Sequence, residues 1–202
     1  MQETEDIAID SVGIGVMLVG PDDPIDSVLS AVCDQLNNEG CQIKGFVQSE
    51  TCSQNGVMSD TFLHSATGNF SRKVSLDLGC GSTACSVDAG AIAEMAGQLL
   101  EEIDQDTDLL VINRFGRCES LGGGLRSVID AAFVRNIPVL TAVRQRYWRD
   151  WEDYSSGMAH ILPASADVVV DWCRQSIRRP GAHPVPDSMR QLHAAPAGAG
   201  CE

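Results

Sequence analysis

The chain is short of positive charge, and the shortage is lopsided. Its 202 residues carry 14 lysines and arginines against 28 aspartates and glutamates, a net charge of −14. Residues 1–110 hold 19 of the acids and three of the bases, Lys44, Arg72 and Lys73. A surface of that sign disfavours nucleic acid, whose phosphates are neutralised by lysine and arginine. No apolar run approaches the roughly 18 residues of a membrane span, so no membrane partner is expected. The opening, MQETED, has neither the basic nor the apolar region of a secretory signal, and a cytoplasmic location is expected. No Cys-x-x-Cys pair occurs among the eight cysteines. In a chain without an export signal they read as thiols rather than a disulfide framework, and the zinc signal is weak. No internal repeat is visible.

What is present is an alternation of apolar strands and amphipathic helices. Residues 12–19 (VGIGVMLV) read as a buried strand. Ile25, Val28, Leu29, Val32 and Leu36 then recur at a helical period behind Pro24, which fits a first turn. A strand over 42–47 completes a β-α-β unit. Segments 57–64 and 72–78 look like an antiparallel ribbon, with Val74, Leu76 and Leu78 on one face. Asp88 is placed to cap a helix over 89–103. A strand over 108–113, a helix over 125–135, a strand over 137–142 and helices over 144–155 and 166–174 follow. The expected fold is α/β, a mostly parallel sheet with helices on both faces and a β-ribbon insertion. It occupies 12–174, between an acidic flexible N-terminus (1–11) and a Pro/Gly/Ala/Arg-rich flexible tail (175–202).

The richest chemistry lies in residues 113–126 (NRFGRCESLGGGLR), where a strand ends in a glycine-rich turn that opens a helix. Such turns hold anions, because glycine lets backbone N–H groups approach and the helix start is partly positive. Gly116, Gly122, Gly123 and Gly124 supply the turn, and Arg114, Arg117 and Arg126 supply charge. Against this, Arg117 could pair with Glu119 and Arg126 could lie on a solvated face. A second small-residue loop, 77–88 (DLGCGSTACSVD), offers Gly79, Gly81 and Ser82 as another anion nest, or merely as a connector. Cys80, Cys85 and Cys118 all fall in these loops and could bind a soft metal, although inert small thiols are the plainer reading. Asp22, Asp23 and Asp26 could hold a divalent cation, or simply favour a helix start. Tyr147, Trp148, Trp151 and Tyr154 recur at helical spacing, which suggests packing or a homodimer interface.

These two phrases resemble the bacterial family catalogued as domain of unknown function 2478, over about residues 12–173. Its members carry phrases like DLGxGSxxCxxD and NKFGxxExxGxGLR. Such proteins are commonly found next to molybdate transporters or described as nucleoside-triphosphatase-like, which implies a molybdenum association. More distantly, the chain is similar to P-loop nucleoside triphosphatases of the small nucleotide-kinase-like group. Residues 45–50 (GFVQSE) and 113–119 (NRFGRCE) stand where those proteins have phrases like GFxxxE and DEIGKME. The resemblance puts a degenerate Walker A loop at 20–27 (GPDDPIDS), in which Gly20 and Ser27 fit and Asp26 replaces the lysine. Asn113 and Arg114 replace the magnesium-linked and water-activating acids. The reading is therefore a P-loop-derived protein for a small anionic ligand, a nucleotide phosphate or a metal oxyanion such as molybdate, without normal hydrolysis. The alternatives are an atypical nucleoside triphosphatase, a thiol-assisted metal-handling enzyme, and a protein-interaction module on a dead nucleotide fold.

Overall fold

A computed structural model describes residues 13–20, 23–52, 59–76 and 87–177. The strands are β1 (Ile14–Val19), β2 (Ile43–Cys52), β3 (Ser59–Ser65), β4 (Ser71–Lys73), β5 (Leu109–Phe115), β6 (Val139–Arg144) and β7 (His160–Leu162). They form one sheet in the order β4-β3-β2-β5-β6-β1-β7. β2, β5, β6, β1 and β7 run parallel, while β3 and β4 add the antiparallel ribbon. The helices are α1 (Ile25–Asn38), α2 (Ala89–Glu102), α3 (Arg117–Ser120), α4 (Arg126–Val134), α5 (Trp148–Ser155) and α6 (Ala166–Ile177).

The central strands β1, β5 and β6 are buried on both faces, so they read as largely apolar runs. In β5, Leu110 and Ile112 pack with α2, α4 and Trp151 of α5, while Leu109 and Val111 pack with α1 and α6. β1 is followed across the sheet by β2 and β6 by β7 on the other side, so the strand order reverses between β1 and β6. Ligands in open α/β sheets lie at such a switch, beyond the carboxyl ends of the strands.

The expected elements are present, with informative differences. β2 is longer than the 42–47 reading, because its second half pairs with β3 instead of ending at the parallel sheet. β4 stops at Lys73: Val74 is buried but Leu76 is 40% exposed, so the alternation expected over 74–78 fails, and Leu78 lies outside the described residues. The helix expected from Arg144 begins later. Arg144 ends β6, a 3-10 turn covers Gln145–Tyr147, and only then does α5 start. α6 continues to Ile177, past the expected 174 boundary. α3 and β7 were not expected from the sequence at all. No helix among the described residues is long and apolar enough to cross a membrane.

Gly45 shows how tightly β2 and β5 approach. Its φ is +121°, and an added Cβ would stand 1.9 Å from the Val111 carbonyl oxygen. Gly45→Ala is expected to cost about 3 kcal/mol or more, from backbone strain plus overpacking. Gly97→Ala, on an exposed and uncrowded position of α2, should instead stabilise by about 0.5–1 kcal/mol. Urea denaturation of the two variants checks the contrast.

Candidate functional site

Four neighbouring strands finish at one edge of the sheet. β1 runs into Gly20, β2 passes Gln48, β5 ends at Phe115 and β6 at Arg144. β5 does not end regularly. Ile112 lies opposite Thr141 but Phe115 lies opposite Val143, so β5 carries one residue more than its partner. A bulge of this kind re-aims side chains. Strand alternation alone would send Asn113 and Arg114 to opposite faces, yet both bond the same carboxylate. Asn113 Nδ2 donates to Asp26 Oδ1 at 3.1 Å, and Arg114 Nη2 donates to Oδ1 at 2.8 Å and Oδ2 at 2.9 Å. Asn113 Oδ1 in turn accepts the Gln48 N–H at 3.0 Å, which fixes the orientation of the buried amide.

Asp26, in the first turn of α1, and Arg114, near the end of β5, thus form an ion pair. Their side chains are only 26% and 22% exposed. One guanidinium nitrogen serves both carboxylate oxygens, and Arg114 Nε is buried without an acceptor. The loop makes a second internal contact, from the Gly20 N–H to Asp23 Oδ2 at 2.7 Å. Asp23 and Asp26 therefore have partners other than a shared cation. Among the described residues no group of three or more His, Cys, Asp or Glu side chains is placed to hold a metal. Asp22 lies outside those residues.

The glycine-rich turn contains more structure than the sequence suggested. β5 reaches Gly116, α3 makes a single turn, and Gly122, Gly123 and Gly124 then lead to α4. Glu119 is 6% exposed at the centre. Its Oε2 accepts the Gly116 N–H at 2.9 Å, and its Oε1 accepts the Leu125 N–H, at the start of α4, at 3.0 Å. Glu119 is thus neither paired with Arg117 nor set out as a base or metal ligand. It caps the amides that an external anion was expected to use. Gly124 is what admits it: φ is +61°, and a Cβ there would lie 2.1 Å from Glu119 Oε1.

The three arginines of this segment are disposed differently. Arg114 holds Asp26, and the Arg126 guanidinium stacks 4.3 Å from the Tyr154 ring centroid. Arg117 is exposed and makes no ion pair among the described residues. The Tyr154 hydroxyl donates to Asp130 Oδ1 at 2.6 Å, and burial first, then Asp130, pushes the phenol well above its usual range. The aromatic stripe on α5 is mostly core. Trp151 meets Phe115 edge-on at 5.1 Å, and Tyr154 stacks on Phe115 and Phe133. This is the packing that the helical spacing of the stripe suggested. Gly79, Cys80, Gly81, Ser82 and Cys85 lie outside the described residues. Cys118 is half-buried on α3.

Sequence reading missed two features of this edge. Glu119 turns inward onto backbone amides, for which the Gly124 spacing was the available signal. Arg144 was read as part of a helix, although it ends the apolar run of β6.

Two tests follow. Replacing Glu119 by Ala leaves two amides without their charged acceptor and should cost about 3 kcal/mol. The coupling between Asp26→Asn and Arg114→Gln in a double-mutant cycle should be nearer 1 kcal/mol, because the pair is partly solvated. The thiols give the second test. Burial pushes Cys33 and Cys173 up to about 12, so both stay protonated at pH 8. Mass spectrometry should find neither alkylated by iodoacetamide in the native chain, and both alkylated in urea.

The comparisons with known proteins agree with this fold, which is α/β and similar to that of two solved structures. THEP1 from Aquifex aeolicus superposes with a TM-score of 0.60 at 14% identity, over 82% of this chain and 99% of that one. A human cancer-related nucleoside triphosphatase superposes with a TM-score of 0.55 at 14% identity, over 92% of this chain and all of the other. In sequence, the chain is 32% identical over 174 residues to molybdenum import ATP-binding protein ModC 2 of Bradyrhizobium diazoefficiens. The match covers 85% of this chain but 19% of that protein, so the chain spans about a fifth of the relative's length. The family described as protein of unknown function DUF2478 matches residues 14–172, and the chain belongs to it.

Proposed function

We propose that this chain is a P-loop-derived binding module that takes a small oxyanion at the carboxyl edge of its sheet and does not hydrolyse nucleoside triphosphates. The observation that carries the reading is the Asp26–Arg114 pair. In phosphoryl transfer a lysine and an acid-held Mg²⁺ neutralise the phosphates. Here a carboxylate stands in the lysine position, and Asn113 and Arg114 stand in the acid positions. The residues do not fit Mg²⁺-nucleotide, and no hydrolytic step can be built on them. Three internal carboxylates, Asp23, Asp26 and Glu119, already satisfy donors that a triphosphate would need, and they repel one as well.

A small oxyanion asks for less. Arg114 keeps a buried donor without an acceptor, and Arg117 is uncommitted by ion pairing. The name of the relative, with its reference to molybdenum import, supports molybdate as the first ligand to try. A second reading, a protein-interaction module, is favoured by Leu121. This residue is 76% exposed at the tip of the turn, next to exposed Gly122 and Gly123.

Purified chain with Mg²⁺ and ATP or GTP should release no phosphate above the buffer rate. Sodium molybdate should raise the melting temperature in a concentration-dependent way, since a ligand selective for the native state stabilises it. Steady turnover that disappears in Arg117→Ala would overturn the non-hydrolysing reading. A melting temperature indifferent to molybdate, phosphate and sulfate would overturn the oxyanion reading and favour the interaction module.

A further inference from the structure

We infer that Arg144 is the anchor for the oxyanion, a role that rests on the binding reading above. The register places it. Arg144 lies opposite Val19, the last residue of β1, and one residue beyond Val143, which lies opposite Phe115 at the end of β5. It therefore sits between the Gly20 loop and the end of the bulged strand. Alternation along β6 places it on a definite face: Leu140 and Ala142 pack with α1, and Arg144 continues that series. The first turn of α1 carries Asp26 on the same face.

The charge of Arg144 is unspent. Its side chain is half-buried, yet it makes no ion pair or side-chain hydrogen bond among the described residues. Arg117 also makes no ion pair among the described residues but is exposed to water, and the other cations around this edge differ. Arg114 is held by Asp26, Arg126 lies on Tyr154, and Arg146 stacks 4.8 Å from the Tyr147 ring centroid. Withdrawing a guanidinium from water without an acceptor is costly, and a planar fork with five donors matches an oxyanion in bidentate fashion. A further buried donor that lacks an acceptor is on the adjacent strand, Arg114 Nε. Two guanidinium groups flanked by Asp23 and Asp26 suit a compact tetrahedral oxyanion better than an extended polyphosphate. The ligand class is a tetrahedral dianion such as molybdate, sulfate or hydrogen phosphate.

Calorimetric titration with sodium molybdate, and separately with sodium phosphate, tests the assignment on wild type, Arg144→Gln and Arg144→Lys. Wild type is expected to bind. Arg144→Gln should bind about ten- to a hundred-fold more weakly, the loss of a charge-assisted hydrogen bond. Arg144→Lys should fall between, keeping the charge but not the fork. A second measurement needs no variant: molybdate should slow phenylglyoxal modification of Arg144, located by mass spectrometry, while leaving exposed Arg135, at the C-terminal end of α4, reactive. Binding by Arg144→Gln within twofold of wild type, or modification of Arg144 at an unchanged rate with molybdate bound, overturns the anchor and leaves the binding reading standing. Wild type that binds neither anion overturns both.

Discussion

One additional residue in β5 organises the carboxyl edge of the sheet. Without the bulge between Ile112 and Phe115, alternation would turn Arg114 away from the face that Asn113 occupies. Asp26 would then keep only a neutral amide as partner. The bulge also brings Phe115 back onto the face of α5, where Trp151 and Tyr154 close over it. A local irregularity thus serves both sides of the sheet, delivering charge to α1 and an aromatic ring to the opposite core. Bulges concentrate beside functional edges for this reason.

The same edge is satisfied from within. In a nucleotide-binding arrangement, backbone amides and a lysine are left for the ligand. Here Asp23 takes the Gly20 amide, Glu119 takes the Gly116 and Leu125 amides, and Asp26 takes the guanidinium of Arg114. The contributions differ in kind. The Asp26 pair is partly solvated and its charges are screened. Glu119 is buried, and its contacts join the end of β5 to the start of α4. The order of the turn therefore rests on Glu119 more than on the ion pair, and Gly124 is the condition for Glu119 to fit.

Much of this was legible in the sequence, because the signals were periodic or chemical. The central strands and most of the longer helices follow from apolar spacing, and the opposite charges of residues 26 and 114 stand in the string itself. The direct contact between those two residues does not. They are 88 positions apart, and only the register of β5 against β6 and the place of α1 bring them together. Helix α3 and strand β7 are too short, at four and three residues, to carry a period. The aromatic residues of α5 suggested packing or an interface, because spacing alone does not tell which face a helix buries. Glu119 was misassigned because its charge drew attention to Arg117, whereas burial favoured two fixed amides over a mobile exposed cation.

The Asp26–Arg114 pair also constrains how this site can change over generations. Replacing Asp26 by lysine on its own sets two cations against each other, and replacing Arg114 by an acid on its own sets two carboxylates against each other. Either step leaves a partly buried repulsion where an attraction stood. The sign of the pair can therefore be exchanged only through neutral residues or by changing both positions together. The pair thus works as a ratchet on sequence: substitutions at residues 26 and 114 are tied to each other, and drift at either one alone is resisted.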